Sequence, residues 1–307
     1  MRLIYHEGKN FGDALNPIIF NKLLPNFFTD KGNYEFLGIG SILGLKKPQP
    51  ETKKMIVFSS GFGNFDTSTY GKIPEKNVLK KYDFRCVRGP LTAKVLSLPE
   101  KTAVCDGAIL LPHVIPPIHA NKQYKYSYMP HHGSLTFYPE WKELLQSIDI
   151  NLIDPRENVS FVLEEIQKSD ILISEAMHGA IIADAYRIPW IPIKTNKTIN
   201  EFKWQDFSQS LDLEFNPNKA QTLFSLPILQ SICEHKLKPL QAKPVSIALA
   251  KLYKKYQDVV TKKAVLKKFE EVKSARQFLS EEKVLERKKE SLSQILDEIY
   301  LDYKSLV

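Results

Sequence analysis

The chain has 307 residues, of which 43% are hydrophobic and 25% are charged, and its formal net charge is +8. This composition predicts a globular protein of roughly two domains. The sequence contains no run of the roughly 18 apolar residues that a membrane span needs. Charged residues lie too close to the start of the chain for a signal peptide. Three scattered cysteines without a CxxC pair predict reduced thiols in a cytoplasmic protein, with neither a disulfide framework nor a zinc site.

The first half of the chain alternates short apolar runs with helical patterns. Strands are predicted at residues 3–5, 36–41, 55–63, 84–88 and 104–106, and helices at residues 14–24 and 91–98. The first glycine loop lacks the GxGxxG spacing, so no nicotinamide site is predicted. A proline-rich segment at residues 112–117 is typical of a domain linker.

The second half repeats the alternation. Strands are predicted at residues 124–129, 151–153, 171–174 and 190–193, and helices at residues 139–148, 159–168 and after His178. Strands alternating with helices indicate one parallel sheet in each half. We therefore expect an α/β protein with two Rossmann-like domains, residues 1–118 and 119–245, facing each other across a cleft.

Residues 246–307 have a different pattern, with apolar residues at three- and four-residue steps between Lys, Arg and Glu. This predicts a C-terminal extension made of one long amphipathic helix or a helix pair. The extension could pack on the domains or form a homo-oligomer interface. An alternative is that its lysine pairs place a basic face against an anionic membrane.

The segment after the strand at 171–174 carries the most informative polar residues. Ser174, Glu175 and His178 follow a buried strand, and Gly179 opens a helix. The carboxyl edge of a parallel sheet is where ligands bind, and a helix N-terminus favours phosphate or carboxylate. A carboxylate such as Glu175 can orient an imidazole for acid–base work. The alternative is that His178 is only a structural cap.

Four further side chains are candidates for the same cleft. His131 and His132 follow the strand at 124–129, but neighbouring side chains should point apart, so no metal site is predicted. Arg85 and Arg88 could pair with the carboxylate and phosphate of a small anion, or form surface salt bridges.

A polar loop near the start of the chain contains Asn10, Gly12 and Asp13, where the backbone could approach a ligand and Asp13 could cap the next helix. The sequence contains no P-loop, no GxSxG, no HExxH and no aromatic-basic RNA motif. NTPase, serine hydrolase and zinc protease activities are therefore not predicted, nor is a nucleic-acid partner.

Taken together, these segments resemble the polysaccharide pyruvyl transferase family. The resemblance covers most of residues 1 to 200 and is strongest at Ser174-Glu175-Ala176-Met177-His178-Gly179. The other matching segments are Asn10-Phe11-Gly12-Asp13, Gly38-Ile39-Gly40-Ser41-Ile42-Leu43, Val87-Arg88-Gly89-Pro90-Leu91-Thr92, Asp106, Pro130-His131-His132, Ala183-Asp184-Ala185 and Arg187-Ile188-Pro189-Trp190.

The resemblance implies a GT-B-like fold and transfer of pyruvate from phosphoenolpyruvate to a sugar of a bacterial surface polysaccharide, as a cyclic ketal. It implies that His178 acts in donor binding and catalysis, and that no cofactor is needed. Many members carry Arg-Leu-His-Gly where this chain has Ala176-Met177-His178-Gly179. Arg85, Arg88 or Lys194 could replace the missing arginine.

The expected site then has three groups of residues. The acid–base candidates are His178, Glu175, His131 and His132. The donor-binding candidates are Arg85, Arg88, Gly179, Ser174 and Lys194. The acceptor or cleft-loop candidates are Asn10, Gly12, Asp13 and Ser41.

Two other functions stay open at this point. One is a GT-B glycosyltransferase with a nucleotide-sugar donor, and the other is a non-catalytic glycan-assembly protein. For the pyruvyltransferase, the expected acceptor is a glycan or a lipid-linked oligosaccharide. The expected location is the cytoplasm, with contact at the inner membrane face as an option.

Overall fold

The computed structural model of the chain describes residues 1–8, 10–63, 75–118, 121–197, 199–237 and 243–306. Its strands form two parallel sheets, one in each half of the chain. The predicted α/β class with one parallel sheet per half is confirmed.

The first sheet contains four parallel strands in sequence order. They are β1 (Arg2–Ile4), β2 (Tyr34–Leu37), β3 (Lys54–Phe58) and β4 (Tyr82–Cys86). The helices of this half are α1 (Phe11–Leu23), α2 (Lys76–Leu79), α3 (Pro90–Val95) and α4 (Leu111–Val114). Nearly every residue of β3 is buried, as expected for a strand covered on both faces.

The second sheet contains five parallel strands in the order β6-β5-β7-β8-β9. They are β5 (Tyr124–Met129), β6 (Asn151–Leu152), β7 (Ser169–Ser174), β8 (Trp190–Lys194) and β9 (Asn218–Lys219). Its helices are α5 (His132–Phe137), α6 (Trp141–Gln146), α7 (Val159–Gln167), α8 (Met177–Ala185) and α9 (Glu201–Ser210). The strand order reverses between β5 and β7, and open α/β sheets bind ligands at such a point.

The remaining helices are α10 (Leu226–Leu237), α11 (Lys243–Tyr256), α12 (Lys262–Lys273) and α13 (Glu282–Tyr303), with a π-helical turn, Gln257–Thr261, between α11 and α12. On α12, Phe269 packs against Tyr128 of β5. On α13, Leu285 and Leu292 are fully buried in the largest hydrophobic cluster. The end of the chain therefore packs on both halves, which was one of its expected roles.

One local prediction is wrong. Residues 104–106 form no strand; a single bridge joins Val87 to Ala103, and a 3₁₀ helix, Gly107–Leu110, follows. Pro112 lies in α4, so the segment predicted as a linker is partly helical, and its role as a linker stays a prediction. The expected domain boundary at 118/119 adjoins residues 119 and 120, which lie outside the described residues, and it stays a prediction.

Over the described ranges, the structure contains no helix with both the length and the apolar character needed to cross a bilayer.

Candidate active site

A pocket of about 280 Å³ lies where the carboxyl ends of strands from both sheets meet. Its walls come from loops after β1, β2, β5 and β7, from the start of α1 and α8, and from α9. The residues that line it are His6, Asn10, Phe11, Gly12, Asp13, Gly40, Ser41, Ile42, Leu45, Met129, His131, His132, Pro155, Ala176, Met177, His178 and Lys203. The structure thus brings seven of the predicted site residues together: Asn10, Gly12, Asp13, Ser41, His131, His132 and His178.

The pocket includes the reversal point of the second sheet. His131 follows β5 and His178 follows β7, the two strands between which the order reverses. The first turns of α1 and α8 also face the pocket, and they add partial positive charge from their backbone N–H groups. The fold therefore favours an anionic ligand at this position.

His178 faces a buried carboxylate that the sequence did not assign to it. Its Nε2 lies 3.7 Å from Oδ2 of Asp106, and Asp106 is fully buried. Among the residues that the structure describes, neither of these two atoms has a hydrogen-bond partner. The other carboxylate oxygen of Asp106 accepts the backbone N–H of Ala108 at 3.0 Å, which fixes the carboxylate. This arrangement can orient the imidazole of His178.

Gly12 and Asp13 lie in the first turn of α1 rather than in a loop, which corrects the sequence-based interpretation. Asn10 is the N-cap, because its Oδ1 accepts the N–H of Gly12 at 3.2 Å. A Cβ on Gly12 would overlap the ring of His178. Because Gly12 has no side chain, the imidazole of His178 can occupy this space.

Asp13 does not cap the helix; Asn10 Nδ2 donates to its Oδ2 at 2.9 Å, and its side chain is largely buried. Burial raises the pKa of Asp13, while the nearby His178, His6 and Lys203 oppose that shift. The pocket thus contains one acidic side chain among several basic ones.

His131 and His132 lie side by side, with ring centroids 4.2 Å apart, so the expectation that they point apart is wrong. His131 is the N-cap of α5, and its Nδ1 accepts the N–H of Gly133 at 3.2 Å. Burial, with Lys203 and His132 nearby, lowers the pKa of His131 to about 3. A neutral His131 therefore carries its proton on Nε2 and can donate one hydrogen bond.

Glu175 does not pair with His178, which corrects the expected acid–base pair. Its carboxylate is fully buried behind the pocket and accepts bonds from Tyr128 Oη, Ser134 Oγ and the backbone N–H of His131 at 3.1 Å. Its other oxygen accepts from the N–H and Oγ1 of Thr195 at 2.6 and 2.7 Å. Glu175 thus joins the ends of β5, β7 and β8 and positions His131.

Ser174 and Gly179 also lie behind the pocket wall. Ser174 is fully buried, and its Oγ donates to the carbonyl of Ala176 at 2.7 Å. A Cβ on Gly179 would approach Met129 Sδ to 2.6 Å and Ser174 Oγ to 2.8 Å. These two residues therefore allow the β7–α8 turn to pack closely, and neither lines the pocket as a donor-binding group.

Residues 10–197 match the family described as polysaccharide pyruvyl transferase, which is more than half of the chain. The chain belongs to the polysaccharide pyruvyl transferase family. It is also 34% identical over 222 residues to the succinoglycan biosynthesis protein ExoV of Rhizobium meliloti (strain 1021), a match that covers 72% of this chain and 68% of that protein. No solved structure matches the chain.

Arg88 lies behind the pocket of this family member. It is fully buried and donates from Nε to Asp206 of α9 at 3.0 Å and from Nη1 to Ser41 Oγ at 2.6 Å. Thr92 also binds Asp206, through its N–H at 2.9 Å and its Oγ1 at 2.6 Å. Arg88 therefore holds Ser41 in the pocket wall and joins the loop after β4 to α9.

Arg85 and Lys194 are not part of the pocket, contrary to the prediction. Arg85 pairs with Asp83 and with Asp302 of α13, both at 2.7 Å. Lys194 pairs with Glu201 at 2.6 Å. Arg85 therefore forms the salt bridges that were its alternative interpretation, whereas no salt bridge was predicted for Lys194.

Lys203 of α9 lines the pocket, and the sequence-based reasoning missed it. Burial, together with the charge of Arg88, lowers its pKa to about 8, and Asp13 opposes that shift. Lys203 lies outside the segment that matches the family, so neither the motif nor the resemblance points to it. The one available signal is its place at the start of a helix, three residues after the N-cap Asn200.

Ala176, where many members of the family carry arginine, lines the pocket directly. A long cationic side chain at this position would enter the same space that Lys203 borders. Within the described part of the chain, no group of three His, Cys, Asp or Glu side chains is arranged to hold a metal ion.

Proposed function

We propose that the chain transfers pyruvate from phosphoenolpyruvate to two hydroxyl groups of a sugar, forming a cyclic ketal on a surface polysaccharide or its precursor. The observation that carries the proposal is the Asp106–His178 pair at a pocket bordered by Lys203. Membership of the polysaccharide pyruvyl transferase family supports it.

The donor carries a phosphate and a carboxylate, so its site needs positive charge. Lys203 supplies a cation, and the first turns of α1 and α8 supply backbone dipoles. Lys203 then supplies the positive charge that an arginine would supply at the position of Ala176. His131 donates a neutral hydrogen bond from Nε2, which suits an ester or hydroxyl oxygen.

The reaction requires a proton at the methylene carbon of the donor. In the proposed mechanism His178 donates this proton, the carbon becomes a methyl group, and positive charge develops at the neighbouring carbon. The first sugar hydroxyl bonds to that carbon and loses its proton to a base. The second hydroxyl bonds to the same carbon, the C–O bond to phosphate breaks, and phosphate leaves with the second hydroxyl's proton. Asp106 orients the imidazole of His178 for this proton transfer.

The separation of 3.7 Å between His178 and Asp106 is longer than a hydrogen bond. Catalytic pairs are often long without a ligand and shorten when the substrate binds. We propose that donor binding draws the two side chains together.

The acceptor would enter beside Asn10, Asp13 and Ser41, which lie on the part of the wall contributed by the first sheet. We further propose that the two sheets belong to two domains in a GT-B-like arrangement, with residues 1–118 and 119–245 as their extents. The protein would act in the cytoplasm, where phosphoenolpyruvate is available, on a glycan or lipid-linked oligosaccharide.

The direct test measures phosphate release from phosphoenolpyruvate in the presence of acceptor. His178→Ala should retain the unfolding temperature and lose at least about 100-fold in rate, because acid–base catalysis commonly contributes 10²- to 10⁴-fold. His113→Ala is the matched control, since His113 is exposed and outside the pocket. Turnover of His178→Ala at the wild-type rate would remove His178 from the mechanism.

A thermal-shift comparison separates this function from the two alternatives. Phosphoenolpyruvate should raise the unfolding temperature of the wild type and not of Lys203→Met. Stabilisation by nucleotide sugars alone would instead identify a glycosyltransferase. Stabilisation by a glycan alone, without phosphate release, would identify a non-catalytic assembly protein.

A further inference from the structure

An exposed apolar face runs along α11 and the π-helical turn after it. Of the thirteen large hydrophobic residues that are exposed in the described part of the chain, seven lie between residues 245 and 260. They are Val245, Leu249, Leu252, Tyr253, Tyr256, Val259 and Val260, with exposures between 37% and 64%. At about 100° per residue, the five of these positions on α11 fall within an arc of roughly 100° on one side of the helix. Val259 and Val260 lie on the π-helical turn that follows.

The neighbouring side of the same helix is already packed. Ser246, Ala250 and Gln257 are buried, and Ala250 contacts the cluster that contains Leu229 and Cys233 of α10. Gln257 donates to the carbonyl of Phe224 and accepts its N–H, at 2.7 and 2.8 Å. The helix is thus fixed to the protein by one face, and the apolar face points outward.

The charge around this face is strongly positive. Residues 243–263 contain six lysines and one acidic residue, Asp258. Asp258 is paired with Lys254 at 2.8 Å and with Lys262 at 2.9 Å, and Glu140 lies 3.8 Å from the same Lys254, so lysines of this segment neutralise both acidic groups. Lys251 and Lys255 are exposed and lie along one edge of the apolar arc.

We propose that this face, defined by the seven apolar residues and Lys251 and Lys255, binds an anionic lipid surface. An amphipathic helix with lysines beside its apolar face inserts between headgroups and acyl chains, and tyrosines favour the headgroup level. A second copy of the chain fits less well, because a two-fold interface pairs a surface with itself and would bring the lysines of both copies together. Lipid binding by this face is independent of whether the chain catalyses the proposed reaction.

The test is co-sedimentation of the full chain with vesicles of phosphatidylcholine alone and with vesicles of equal parts phosphatidylcholine and phosphatidylglycerol. The wild type should bind the mixed vesicles and be released by high salt. The double variant L252S/Y256S should lose about tenfold or more in binding, because two apolar side chains no longer leave water. Lys251→Glu/Lys255→Glu should weaken binding to the mixed vesicles.

Leu301→Ser is the matched control, since Leu301 is 61% exposed on α13, and it should bind like the wild type. The proposal would be overturned if Leu301→Ser lost vesicle binding as strongly as L252S/Y256S does. It would also be overturned if all variants bound both kinds of vesicle equally. A wild-type dimer that L252S/Y256S converts to a monomer in light scattering, without any vesicle binding, would overturn it as well. Because phosphate release from soluble acceptor is measured separately, failure here leaves the proposed reaction untouched.

Discussion

Asp106 Oδ2 and His178 Nε2 face each other at 3.7 Å, and both atoms are buried and without a hydrogen-bond partner in the described structure. A buried carboxylate oxygen without a partner is costly, so its retention beside an imidazole points to a functional pair. The pair also joins the two halves of the chain, because Asp106 belongs to the first half and His178 follows β7 of the second.

Asp106→Asn tests this pair. The Asn side-chain oxygen can still accept the N–H of Ala108, so the fold should be retained. Turnover should fall roughly 10- to 100-fold, because the amide nitrogen that would face His178 cannot accept a hydrogen bond as a carboxylate oxygen can. The measurement is phosphate release with the unfolding temperature as a control. If the double variant Asp106→Asn/His178→Ala lost the full product of the two single losses, the two residues would act independently.

Gly12→Ala should displace His178 without unfolding the protein. Its Cβ would overlap the imidazole, whereas alanine stabilises a helix by up to about 1 kcal/mol relative to glycine. We expect kcat to fall about tenfold or more with an unchanged unfolding temperature, since small misplacements of reacting groups are costly. Gly133→Ala is the control, because its Cβ would meet His131 at 3.2 Å, a contact that a small shift relieves. Equal activity of both variants would show that His178 tolerates displacement.

Lys203→Met should raise KM for phosphoenolpyruvate by roughly 10- to 100-fold, the value of a charge-assisted hydrogen bond. The pKa of Lys203 is about 8, so the wild type should lose this cation as the pH rises through 8, and KM should increase there. Lys203→Arg stays protonated and should show no such increase. An identical pH profile of KM in all three proteins would exclude Lys203 from donor binding.

His131 should make folding sensitive to acid. Its pKa is about 3 in the folded protein and about 6.5 in the unfolded chain, so between these values only the unfolded chain binds the proton. This contribution to stability is therefore full above a pH of about 6.5 and decreases as the pH falls toward 3. His131→Asn preserves a capping oxygen for α5 and should flatten the dependence in urea unfolding. His113→Asn, at an exposed position, should follow the wild type.

The C-terminal helix should contribute to global stability. Leu292 of α13 is fully buried, and Leu292→Ala should lower the free energy of unfolding by about 2–5 kcal/mol. Leu301→Ala, on the same helix and 61% exposed, should change it by less than about 0.5 kcal/mol. The measurement is urea unfolding, and similar midpoints for the two variants would show that α13 unfolds separately.

The fold was largely predictable because alternating apolar runs and helical patterns are local. The strand at 124–129 was predicted with its observed bounds, and the helix predicted after His178 begins one residue before it, at Met177. Residues 104–106 looked like another strand, but the cap that Asp106 provides to Ala108 starts a 3₁₀ helix instead. No periodicity argument distinguishes a buried strand from a buried turn of this length.

The site was predictable only in part. His178, His131 and the Asn10–Asp13 segment were found because they follow strands, and the carboxyl ends of parallel strands meet at one edge. The partner of His178 was assigned to Glu175 through closeness in sequence, whereas Asp106 approaches from the other half of the chain. Lys203 was missed for the same reason. Contacts between distant segments depend on how the two sheets pack. The spacing of residues along the chain does not specify this packing.

The buried Arg88–Asp206 pair affects how the pocket binds a ligand. Arg88 donates both to Ser41 and to Asp206 of α9, the helix that carries Lys203, so two parts of the pocket wall are connected before anything binds. A small dianion would therefore enter a receptor whose dimensions are already set. The pocket would therefore lose little conformational entropy when a ligand binds. Its rigid shape, rather than closure around the ligand, would discriminate between ligands.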